Sequence, residues 1–138
     1  MANGLDQLRR RLESVARNVR TQIDPALKVS ADEIARTMRS LAETSSDTGS
    51  LIESIAVTEG GNSTPPYSQP GGATVVPEHA VVITAGNVEA RHVHLVEYGT
   101  VSAPAQPFFW PGFRLMRKRA ENRIKRNISK AVRDGWNQ

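Results

Sequence analysis

His92 and His94, set two apart with Glu97 just beyond, are the residues in this chain whose types best suit metal chemistry. Imidazole nitrogens and carboxylate oxygens are ordinary zinc ligands, and residues i and i+2 of a strand share one face. The plainer reading, two polar side chains lining the solvent face of a hairpin, is favoured because neither an HExxH motif nor a further clustered ligand accompanies them. Ser, His and Asp all occur, yet no GxSxG elbow frames a serine. Neither a P-loop lysine motif nor a GxGxxG turn is present to hold a phosphate. A triad assembled in space from distant residues is the catalytic alternative that spacing leaves open. The 138 residues include no cysteine, which removes disulfides, thiolate nucleophiles and cysteine-ligated metal sites and suits a reducing cytoplasm. The sequence therefore predicts no enzyme, no cofactor and no resident metal.

Phosphate binding is the next chemistry to weigh. The net charge of +4 is unevenly spread: residues 1–58 are neutral, residues 59–100 carry −3, and residues 101–138 carry nine basic against two acidic groups, or +7. Lys and Arg ranged along one helix neutralise phosphates and release counterions. An amphipathic helix also carries charge simply because one face meets water, and here the aromatics precede the charges instead of interleaving with them. A basic, DNA-contacting accessory role thus stands as the alternative to a purely structural one. The segment Pro107-Phe108-Phe109-Trp110-Pro111 holds three large rings between prolines, so they dock with little loss of entropy. Their seat is either the chain's own core or a neighbouring subunit.

The elements that position these residues follow from periodicity. Leu5, Leu8, Leu12, Val15, Val19 and Ile23 recur at spacings of three and four, which predicts an amphipathic helix with Arg9, Arg10, Glu13, Arg17 and Arg20 on its other face. Asp24-Pro25 predicts a kink or a fresh helical start, Ser30-Ala31-Asp32-Glu33 has capping-box form, and the apolar face continues to about Glu43. Asp47 or Thr48 is placed to cap a short turn through Leu51, Ile52 and Ile55, before a strand beginning at the β-branched run from Ile55. Residues 60–72 hold four Gly and three Pro, which predicts a mobile loop without a regular ladder. Val- and Ile-rich residues 74–85, the Gly86-Asn87 turn signal and residues 88–98 predict a β-hairpin. Phe113, Met116, Ala120, Ile124, Ile128 and Ala131 then mark a basic amphipathic helix ending near Asp134-Gly135.

The predicted fold is one α+β domain over residues 1–138: amino-terminal helices on a small antiparallel sheet, the hairpin plus a further strand, closed by the basic helix. Hydrophobic residues are 38% and aromatics 5%, so the core is thin and association with neighbouring copies is expected. No run of about 18 apolar residues predicts a membrane span, and the amino terminus lacks the apolar stretch of a signal peptide.

The order of the motifs carries more than any one of them. A Leu-rich amino-terminal helix, Asp47-Thr48-Gly49-Ser50-Leu51 with Ser54-Ile55, Val96-Glu97-Tyr98-Gly99-Thr100, Ala105-Gln106-Pro107-Phe108 and a basic closing helix together resemble the small tail-component family of siphophage neck proteins. The resemblance spans almost the whole chain. It implies a structural virion subunit forming a ring, six-fold, at the head-proximal end of the tail, where it completes or terminates the tail and joins it to the head. Its implied partners are further copies of itself, the tail tube protein and a head-closure or connector protein, to which the basic helix adds weak contact with DNA and the composition adds no membrane. Its implied location is the virion, and the host cytoplasm during assembly. The resemblance also implies scaffold roles: Thr48 and Gly49 turning from helix to strand ahead of Leu51 and Ile55, Glu97, Tyr98, Gly99 and Thr100 closing the hairpin end, and Pro107 and Phe108 locking the last helix on the sheet.

Overall fold

A computed structural model describes residues 3–44 and 49–137. Helix α1 runs from Gly4 to Ala42, 39 residues in one continuous element. Its first turn is capped where the Asn3 side-chain oxygen accepts the Asp6 amide at 2.9 Å. Pro25 sits inside the helix, so of the two outcomes predicted at Asp24-Pro25 the fresh helical start is absent. Proline removes one helical hydrogen bond, but Ala26, Ser30, Ala31, Ile34, Ala35 and Met38 are buried directly after it, and this packing carries the helix through. The capping-box signature at Ser30–Glu33 likewise falls in the helix interior, where both of its end residues meet the closing helix instead.

That closing helix, α4, spans Phe109–Trp136 and lies antiparallel to α1. The two backbones approach closely at both ends of the pair. A Cβ on Gly112 would lie 2.7 Å from the Met38 side chain and 3.1 Å from its Cα, and one on Gly135 would lie 2.7 Å from the Val15 Cα. Glycine is thus the residue these contacts admit. Between them, the Asn18 amide donates to the Ala131 carbonyl at 2.6 Å. Arg123 donates to Ser30 Oγ at 3.2 Å and to Glu33 Oε1 at 2.7 Å, while Arg119 lies 3.4 Å from the other Glu33 oxygen. The Arg123 hydrogen bond, joined by the charges of Arg119 and Arg123, holds the Glu33 carboxyl below the usual carboxylate range against the opposing effect of desolvation.

Helix α2 (Gly49–Glu53) leads into strand β1 (Ala56–Glu59), as the short turn and following strand were predicted to do. Strand β1 pairs antiparallel with β2 (Val81–Thr84), in register from Ala56 opposite Thr84 to Glu59 opposite Val81. The α+β class is therefore as the sequence predicts, but the pairing is not. Residues 88–98 form no hairpin arm. The Asn87 side-chain oxygen accepts the amides of Glu89 and Ala90, at 3.0 and 2.9 Å, and turns the chain into helix α3 (Val93–Tyr98). Val93 and Glu97 are buried and Val96 half-buried, the spacing of a helical face and not of a strand.

The segment predicted to resist any ladder is hydrogen-bonded. Gly61 and Val76, Asn62 and Val76, and Thr64 and Thr74 are joined by backbone bonds of 2.8–2.9 Å, and Gln69 pairs with Ala85 in both directions. The buried Thr64 hydroxyl donates to the Gly72 carbonyl at 2.7 Å and accepts the Thr74 amide at 2.8 Å. The core gathers Ile34, Met38, Leu51, Ile55, Val93 and Phe108 where α1, α2, α3 and the start of α4 converge.

Candidate assembly interface

The motifs on either side of the 99–107 connection meet in space. Glu97 is buried, and its carboxylate sits under the amino terminus of α4. Its Oε2 accepts the amides of Phe108 at 2.8 Å and Phe109 at 3.1 Å, and its Oε1 accepts that of Trp110 at 3.0 Å. These are amides that a helix leaves without an internal partner, and the helix dipole favours a negative charge at that end. A side chain eleven residues upstream thus does what a local cap residue usually does. Gly99 follows with φ +78, and a Cβ there would lie 2.7 Å from the Ala105 amide nitrogen. Thr100 closes the next turn: its amide donates to the Ala103 carbonyl at 2.8 Å, and its hydroxyl accepts the amides of Ser102 and Ala103. The Gln106 amide returns to the Val96 carbonyl at 2.8 Å. Glu97, Gly99 and Thr100 therefore tie α3 to α4 and do not close a hairpin.

Phe108 is fully buried and Phe109 nearly so, so the proline-framed rings seat themselves largely in the chain's own core. Phe109, Trp110 and Phe113 continue as an edge-to-face series with centroids 5.1 and 6.2 Å apart. Trp110 keeps one side in solvent, and its ring nitrogen donates to the Tyr98 hydroxyl at 2.8 Å. Pro107 is exposed. Leu51 and Ile55 are core residues, and Gly49 opens α2 in solvent. Thr48 lies outside the described residues, as does Asp47.

The histidine pair does not share a strand face. His92 precedes α3 and His94 lies exposed within it, while Glu97 is turned inward to the α4 amides. Among the described residues no group of three or more His, Cys, Asp or Glu is placed to hold a metal. No described helix is long and apolar enough to cross a membrane.

Two apolar features stand out among the described residues. The first is a groove of about 390 Å³ between α1, β2 and α4, lined by Leu27, Ile34, Val81, Trp110, Phe113 and Ile124 among others, with Arg117 and Glu121 among its polar groups. The second is the start of α1. The predicted stripe of Leu5, Leu8 and Leu12 exists, but these side chains are 72%, 43% and 55% exposed, because α4 ends beside Ser14 and Val15. The sequence signals amphipathicity there without signalling that the covering surface is missing. Sequence reasoning took Gly135 only as a helix end and passed over Gly112; a glycine inside a helical pattern is the signal that marks such close approaches.

Residues 6–99 match the family model described as "Bacteriophage HK97-gp10, putative tail-component". No curated protein matches the chain, and no solved structure does.

Proposed function

The chain belongs to the HK97-gp10-like family of phage tail components, and on that premise we propose that it is one subunit of a ring at the head-proximal end of the tail, completing the tail and joining it to the head. The observation that carries this reading is the exposed apolar surface on a well-tied scaffold: Leu5, Leu8 and Leu12 at one end of the helix pair, the groove at the other. Surfaces of this kind on a small domain are covered by neighbouring subunits. The buried Glu97 carboxylate holds backbone together, which suits a molecule whose work is fitting. In this reading six copies form the ring, which seats on the tail tube protein below and a head-closure or connector protein above. Assembly takes place in the host cytoplasm. Imaging of particles produced without this chain tests it: full heads and finished tail tubes that remain unjoined are expected, and normally joined virions would contradict it.

A second reading, contact with DNA, is favoured by the outward face of α4. Arg119 and Arg123 turn to Glu33 and Arg117 to Glu121, while Arg114, Lys118, Lys125, Arg126 and Lys130 face solvent. A ring that places this face on its lumen would meet the phosphates of DNA passing through. Filter binding to random duplex at about 50 and about 200 mM salt decides, since holding several phosphates makes affinity fall by orders of magnitude over that range.

A further inference from the structure

The groove and the leucine stripe belong to the same chain but cannot serve each other. Leu8 and Ala31 are 23 positions apart on one helix, about 35 Å at 1.5 Å per residue. Each is therefore available only to another molecule. Gly135 of α4 packs on Ser14 and Val15, and the Arg11 guanidinium lies over the Trp136 ring at 5.1 Å, so the helix pair ends there. Residues 4–10 project beyond it as about two turns of helix with no α4 beside them, and Leu12 lies at the edge of the pair. Helical stability in proteins comes mostly from packing of an amphipathic face, and among the described residues this face has no such packing within the chain.

We propose that the groove receives the projecting start of α1 from a second copy of this chain, head to tail. The chemistry of the two surfaces fits. The leucines offer branched side chains at spacings of three and four, and the groove walls offer Leu27, Ile34, Val81, Phe113 and Ile124. Charge fits as well. At this helix start Arg9, Arg10 and Arg11 outnumber Asp6 and Glu13, with Arg9 paired to Glu13 and Arg11 on Trp136, and Val81 belongs both to the groove and to an adjoining acidic hollow of Asp24, Glu59 and Glu78 with His79. An isologous pairing would instead set one arginine-rich helix start against another. Because the donor and the acceptor lie at opposite ends of the molecule, each copy binds one neighbour at each end, and the contact closes into a ring or continues as a filament. The inference rests on the ring reading above and names the surfaces that build it.

The absence of native cysteines makes a disulfide test direct. Leu5→Cys, Leu8→Cys and Leu12→Cys chains are each mixed with a Glu121→Cys chain, whose substituted residue stands on the exposed rim of the groove, and oxidised mildly. The proposal expects at least one mixture to give disulfide heterodimers in at least fivefold excess over both homodimers. Leucine-to-leucine homodimers, or a statistical mixture in all three, overturn it. In parallel, the Leu5/Leu8/Leu12→Ser chain is expected to lose at least tenfold in assembled fraction while still unfolding in one cooperative thermal transition. Assembly equal to wild type overturns the docking. A native mass of six subunits with only statistical cross-links sinks the docking and leaves the ring standing. A chain that stays monomeric at every concentration with statistical cross-links sinks both.

Discussion

Glu97 concentrates the chemistry of single side chains in this protein. One carboxylate takes three backbone amides at 2.8–3.1 Å, two of them buried at the foot of the longest aromatic cluster. Replacing it with alanine strands those donors, at a cost of about 1–3 kcal/mol for a buried unsatisfied group. The expected result for Glu97→Ala is a drop of that size in the unfolding free energy measured in urea, with Glu97→Gln recovering part of it because one acceptor oxygen remains. Gly99 depends on conformation as much as on space. Its φ of +78 with ψ 173 is a region that residues with a side chain essentially avoid. Gly99→Ala is therefore expected to cost about 1–3 kcal/mol by the same measurement. The sequence singled out both residues through their motif but assigned them to a hairpin. The partnership of Glu97 with Phe108 joins residues eleven apart, and nothing in local spacing announces a cap delivered from another helix.

Helices were easier to read than strands, for a physical reason. The three-and-four spacing of α1 and α4 persists over many turns, whereas residues 88–98 offer too few positions to separate the two periods. Val93, Leu95 and Val96 are good strand formers, yet burying Val93, Val96 and Glu97 together requires a helical turn, and that tertiary demand prevails over propensity. Pro25 shows the same order of influence inside α1. In the Gly- and Pro-rich segment, which forms no regular strand, the Thr64 hydroxyl and isolated backbone pairs supply hydrogen bonds in place of a ladder. The α1–α4 pair gives two expectations. Gly112→Ala drives a methyl group against the Met38 backbone, and the overpacking is expected to cost about 1–3 kcal/mol in urea unfolding. Glu33, held below the ordinary carboxylate range by Arg123, contributes stability that is complete above the unfolded carboxylate pKa and is lost as pH falls through its lower folded value. Wild type is thus expected to exceed Glu33→Gln in melting temperature at neutral pH, with the gap closing on acidification below about pH 4.

Taken entire, the protein is a long antiparallel helix pair braced by a two-stranded sheet, with its apolar surplus at opposite ends. The sequence made the tail-component resemblance and the thin core legible. It did not reveal that the leucine stripe runs past its partner helix, since amphipathic spacing says which face seeks cover and not where the cover stops. The chain belongs to a family of phage tail components, and in the proposed docking the polarity of the two surfaces makes assembly directional. The most direct measurement is the native mass of the purified 15.1 kDa chain across concentration, beside the Leu5/Leu8/Leu12→Ser chain. The wild type is expected to populate a closed oligomer of six subunits while the variant remains at 15.1 kDa; a single 15.1 kDa species for both, at every concentration, would contradict the account.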